Sequence, residues 1–449
     1  MKKSKILELV ILCIVGLGFY SCNVELDNDV SYDKLDYEMA KLSSQSELDS
    51  LITRGDDNIV DWQLSREFAE LWLQESIDAG EYPNDSSLWE IPVAIYDSNE
   101  NIKYYEFRVT CGNKVIAYIV GAATKDFNSP IVYQMFCEDG YADDISELYY
   151  SGKLNENELP RIVDNGYPNV VFGVIQEDSV EDINFEYFMN PESGDYVLEE
   201  EIDTLANYED IKDIFPELFE EDLNTEKIEE LIANYKKEGE KFWELAVANK
   251  GHIGDFAVRG SSKRTELDKS YVKKVTDRNN KHIANYGACG PTADGFVLDY
   301  LQYNYSVKNT WASKSQYEKA EALYKSLKTG DNWIADIVSW LGEDGGSVTL
   351  PHNIGNAVSE YSEYKASLSV YNYPKAAIEN NLPGISLRTF GSGGMHYRPV
   401  IAYKNNGWGP FSWPSFKILD LVDCDDKEKG MWETYVPVHH LMNWNIVKK

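Results

Sequence analysis

The segment Asn285-Tyr286-Gly287-Ala288-Cys289-Gly290-Pro291-Thr292-Ala293-Asp294 sets a cysteine among small residues at the start of a helical pattern. Pro291 suits the first turn of a helix, and Ala293, Val297, Tyr300 and Leu301 follow at helical spacing. Cys289 therefore stands at or just before a helix N-terminus, where unpaired backbone N–H groups and the macrodipole favour a thiolate. Gly287, Ala288 and Gly290 leave room for a substrate backbone to approach. Further on, the glycine turn Gly391-Ser392-Gly393-Gly394 precedes a strand that begins at His396 and runs to Tyr403. The next strand, 416–420, offers Asp420 near its end, with Asp423 as the alternative if the register differs. A thiol, an imidazole and a carboxylate are the parts of a nucleophile, its base and the group that orients the base. Taken singly, each also fits a structural role: a cysteine packed at a helix start, a histidine at a strand end.

The elements that would position these residues lie in a unit of domain size, 266–449, with several Gly-rich turns. Before it, Val258-Arg259-Gly260-Ser261-Ser262-Lys263-Arg264-Thr265 is small and basic, and 259–265 reads as a linker. The span 201–258 reads as an acidic helical connector: a short segment at 211–215 is interrupted by Pro216, and 225–247 forms a longer helix with an acidic face. The front unit, 59–200, is an α+β domain. It has a helix at 62–77 and strands at 91–96, 104–109, 115–120, 130–135, 169–175 and 185–189, with Gly112-Asn113 as a hairpin turn. Residues 22–58 form a polar tether, helical in part at 37–51.

Ala288-Cys289-Gly290-Pro291-Thr292-Ala293 opening a helix, Gly393-Gly394-Met395-His396-Tyr397 before an apolar strand, and an Asp on the next strand together resemble a known family. It is that of the papain-like bacterial cysteine peptidases related to the bacteriocin-leader-processing peptidases. Streptopain is a more distant relative, with a front domain acting as a propeptide. The resemblance covers roughly 275–425, and the Cys segment is its specific part. It implies an α+β fold with a papain-like peptidase domain, Cys289 as nucleophile, His396 as general base and acid, and Asp420 as the orienting residue. Such enzymes place a Gln a few residues before the Cys, and none occurs in 275–288. Asn280 or Asn285 would then supply the oxyanion contact through a side-chain amide, alongside the Cys289 N–H. The hairpins of the front unit are similar to those before the peptidase domain in streptopain-like precursors. They imply that the front unit restrains the peptidase until the linker is cut. Two other classes remain open: a catalytically degenerate fold serving as a surface binding module, and an amidase or acyltransferase on the same fold.

Composition narrows the partners. The 449 residues carry a formal net charge of −34 and are 43% apolar, enough for packed domains and too acidic to attract nucleic acid. The charge is uneven: −14 over 1–140, −23 over 141–240 and +3 over 241–449. Opposite charge on the two units would assist their docking or would merely maintain solubility. The peptidase resemblance implies a peptide or protein substrate.

Residues 1–21 have the form of a signal peptide: Lys2, Lys3 and Lys5, then an apolar run from Leu9 to Tyr20 that is too short to span a bilayer. Ser21-Cys22 resembles the cleavage box of bacterial lipoproteins, which implies acylation of Cys22 and attachment to a bacterial membrane on the periplasmic side or the cell surface. No C-x-x-C or H-E-x-x-H spacing suggests zinc, and no cofactor is implied. Cys111 and Cys137 could pair or remain two buried thiols. His439-His440 fits a strand end as readily as a metal site.

Overall fold

The computed structural model describes residues 42, 44–53, 57–112, 114–136, 142–166, 170–177, 183–191, 193–199, 202, 225–256, 263–268, 272, 289–305, 318–319, 354, 358–370, 373–389, 395–419, 430–434, 436, 440 and 442–449. Helices α1 (Gln45–Thr53) and α2 (Trp62–Asp78) precede strands β1 (Ser86–Leu88), β2 (Val93–Tyr96), β3 (Ile102–Cys111), β4 (Lys114–Ala122) and β5 (Ile131–Met135). Helix α3 (Ala142–Tyr150) leads to β6 (Glu158–Asp164), β7 (Val170–Gln176), β8 (Tyr187–Met189) and β9 (Tyr196–Val197). A long helix, α4 (Thr225–Ala248), and a 3-10 turn (Ile253–Phe256) are followed by β10 (Lys263–Glu266), α5 (Cys289–Tyr305), β11 (Tyr364–Val370) and α6 (Lys375–Glu379). The chain closes with β12 (Gly384–Thr389), β13 (Met395–Trp408), β14 (Phe411–Ile418), β15 (Met431–Thr434) and β16 (Met442–Lys448). The fold is mixed α+β.

Local chemistry explains the clearest elements. Asp61 caps α2 by accepting from the Gln63 N–H at 2.8 Å, and Phe68, Ala69 and Trp72 recur at helical spacing on its buried face. Gly112 takes φ 59° where Cys111 pairs with Lys114, a left-handed corner that favours glycine in a tight hairpin.

The strands form one sheet in the order β11-β16-β12-β13-β14-β15-β5-β4-β3-β2-β6-β7-β8-β9, with β1 added to β3 and β10 to β13. Among the described strands only β2 and β6 run parallel. The join of back to front is β15 with β5, where Trp432 pairs with Gln134 and Glu433 with Tyr133. Thr434 Oγ1 donates to the Ile131 carbonyl at 2.5 Å along the same seam.

Two apolar cores lie against this sheet. The larger runs from the front unit (Phe68, Trp72, Phe107) through α4 (Trp243) to β13–β15 (Trp413, Trp432). The smaller gathers α5, β11, β12, β16 and the start of β13, including Val297, Ile385, Tyr397 and Trp444. The division between cores therefore falls inside the back unit and not at its beginning. The span read as a linker contains structure as well: Lys263–Glu266 is β10, pairing Lys263 with Asn405 and Glu266 with Ala402, while 257–262 lie outside the described residues. The end of the span read as a tether is docked. Glu47 of α1 is buried and accepts from Arg161 Nη2 at 2.8 Å and from the Tyr96 hydroxyl at 2.7 Å. Among the described residues, no helix is long and apolar enough to cross a membrane.

Candidate active site

Helix α5 begins at Cys289 and is buried on more than one side. Ala293, Val297 and Leu301, spaced by four, enter the smaller core, while Phe296 and Tyr300 enter the larger one. A helix apolar on two faces must lie between two packed bodies, and α5 does. Its first residue is consequently held at the junction of the cores. The Cys289 thiol is not in a disulfide, is partly exposed and rests against the smaller core.

The start of β13 lies beside this helix. Along β12 and β13, His396 pairs with Arg388, Tyr397 with Leu387 and Arg398 with Ser386. Tyr397 and Leu387 belong to the smaller core with α5, and the Tyr397 ring sits 5.8 Å from that of Trp444. Burial pushes the Tyr397 phenol well up, and the nearby Cys289 and Asp294 side chains add to the shift. Cys289 and Tyr397 are thus electrostatic neighbours, so the helix end that carries the thiol and the strand start that carries His396 meet in one place.

Strand alternation assigns the two neighbours to opposite faces. Tyr397 is on the α5 face; partly exposed His396 shares the other face with Arg388 and Arg398.

The face shared by His396 carries charge that the sequence did not announce. Arg398 Nη2 donates to Glu433 Oε2 at 2.7 Å, His440 Nε2 lies 3.2 Å from the same oxygen, and Arg388 Nη2 donates to the Tyr133 hydroxyl at 3.0 Å. Burial would raise the Glu433 carboxyl, but Arg398, His440 and Arg388 override it and hold Glu433 well below the usual carboxylate range. His440 is part of this cluster, and among the described residues no group of three His, Cys, Asp or Glu side chains could hold a metal ion.

Asp294 was also missed. It is 1% exposed, its Oδ1 has no hydrogen-bond partner among the described residues, and burial pushes its carboxyl well above the usual range. Only burial marks it, and burial is not written in local spacing.

Of the residues selected from sequence, Cys289 and the His396 strand are brought together. Asp420, Asp423, Asn280, Asn285 and Cys22 lie outside the described residues, as do Cys137 and His439. Cys111 is a buried thiol within 3.5 Å of Asp85 Oδ1 and is not in a disulfide.

No protein-family description matches the chain, and no curated protein matches it. The chemistry rests on the geometry: a partly exposed thiol at a helix N-terminus, at a seam between two cores, beside a strand whose second residue is His396. Such a thiol can attack an electrophilic carbonyl from a position fixed by packing on both sides of its helix.

Proposed function

We propose that the chain is a cysteine peptidase that works outside the cytoplasm, attached to a bacterial membrane through acylated Cys22. The observation that carries the reading is the meeting of the Cys289 helix end with the strand start at His396 and Tyr397. In the proposed reaction the Cys289 thiolate forms a bond to the carbonyl carbon of a peptide, and the backbone N–H groups at the start of α5 face the developing oxyanion. The C–N bond then breaks as the His396 imidazolium gives its proton to the departing amine. Water, deprotonated by His396, attacks the thioester, releasing the carboxylic acid and regenerating the thiol. Asp420 is proposed to orient the imidazole, and the Asn280 or Asn285 amide to supply the second oxyanion contact.

The test is to incubate the mature chain with a mixture of unmodified peptides and to identify cleavage products by mass spectrometry. Wild type should generate new peptide termini, and Cys289→Ala should generate none. Products that persist undiminished in Cys289→Ala would refute the assignment of the nucleophile. Mass analysis of the native N-terminus should find lipid on Cys22; an unmodified start at another residue would refute the anchor.

A further inference from the structure

The back strands turn toward the front unit a face built from three cations and an indole. Arg264 of β10, Lys404 of β13 and Lys417 of β14 surround Glu81, three residues beyond the end of α2. Glu81 Oε1 accepts from Arg264 Nη2 at 2.7 Å, from Lys417 Nζ at 3.0 Å and from Trp432 Nε1 at 3.0 Å. The Lys404 ammonium lies 3.2 Å from the centre of the Trp72 ring of α2 and 4.7 Å from that of Trp432. Burial would raise the Glu81 carboxyl, yet Lys417, Arg264 and Lys404 hold it well below the usual range.

Two further contacts cross the same boundary. The β5–β15 ladder makes the sheet continuous, with Arg388 reaching the Tyr133 hydroxyl on its buried side. Helix α4 then inserts Phe242 and Trp243 between the halves. Phe242 lies 5.6 Å from Phe68 of α2 and 5.3 Å from Phe411 of β14, and Trp243 Nε1 donates to the Phe127 carbonyl at 2.6 Å. A detachable domain presents a mostly polar, separable interface. This boundary instead has the composition of a domain interior: a main-chain ladder, buried ion pairs and an aromatic wedge.

We propose that the face formed by Arg264, Lys404, Lys417 and Trp432 is a permanent docking surface for this chain's own segment 62–82. A cut between Phe256 and Lys263 would then yield one two-chain protein and not a freed back unit with a discarded propeptide. The proposal is independent of whether Cys289 is catalytic, because its readout is physical association.

The experiment places a site-specific protease sequence between Phe256 and Lys263 of the mature chain, cuts it to completion, and passes it over a sizing column at ~0.1 M and about 1 M NaCl, where screening lengths are about 10 Å and 3 Å. Both fragments should elute together, at the volume of the uncut protein, at both salt concentrations. Separation into two folded fragments at either salt would overturn the proposal. Glu81→Lys in the same cut protein should lower the urea concentration at which the fragments part, and an unchanged urea midpoint would also count against it. The uncut insertion protein, eluting as the parent does, controls for folding.

Discussion

Helix α5 buries two carboxyls and treats them differently. Asp299 is paired with Lys319, whereas the Asp294 Oδ1 has no hydrogen-bond partner among the described residues. A buried carboxyl without a partner is far cheaper neutral than ionised. The folded-state pKa of Asp294 is raised above its unfolded value, so its contribution to stability is fully present below about pH 3.9 and is lost as pH rises through the folded value. Asp294→Asn keeps the shape and removes the titration. Its urea midpoint should match wild type near pH 4 and exceed it at pH 8; a variant weaker than wild type at pH 8 would mean that the ionised carboxylate has a stabilising partner. The reactive candidate, Cys289, is legible in sequence because Pro291 and the apolar spacing after it locate a helix start. The burial that distinguishes Tyr397 and Asp294 is not legible, since it is not written in local spacing.

At the scale of elements, α5 transmits packing from two cores to the thiol at its end. Phe296→Ala should cost about 3–5 kcal/mol and Leu301→Ala about 2–5 kcal/mol in urea unfolding, because each opens a cavity in a different core. Both should also slow alkylation of Cys289 by peptide-like reagents if the helix end is held by packing; destabilisation with no change in alkylation would show that the thiol is fixed by other contacts. The amphipathic helices and the hairpins of the front unit were readable: 62–77 appears as Trp62–Asp78, 225–247 as Thr225–Ala248, and 104–109 and 115–120 as β3 and β4. Strand β6 was not, for a physical reason. Its sequence, Glu-Leu-Pro-Arg-Ile-Val-Asp, lacks strand alternation, yet Arg161 is satisfied by Glu47 and Asp164 by Lys103, partners far away in the chain. The four-residue β15, which joins the halves, is too short to carry a periodic signal of its own.

Over the whole molecule, Glu81 ties the halves together, and it and Glu433 set the response to acid. Glu81 and Glu433 have folded pKa values held below their unfolded ones. Their contribution is therefore present above about pH 4.3 and is lost as pH falls through the folded values. Stability should decline steeply on the acid side, and Glu81→Gln should lose about 3–5 kcal/mol at pH 7 by removing the carboxylate paired with buried Lys417 and leaving Arg264 with Glu266 alone, with a shallower acid decline than wild type. A variant whose decline on acidification is as steep as that of wild type would exclude Glu81 as a source of the effect. The central claim, that this two-core body presents Cys289 as a nucleophile assisted by His396, is tested most directly by treating the mature chain with a thiol-reactive peptide probe and mapping the adduct by mass spectrometry in wild type, Cys289→Ala and His396→Ala. The account predicts a single adduct on Cys289, absent from Cys289→Ala and formed about 100-fold or more slowly in His396→Ala, the scale of one acid–base group. An adduct distributed equally between Cys289 and Cys111, or a rate unchanged by His396→Ala, would contradict it.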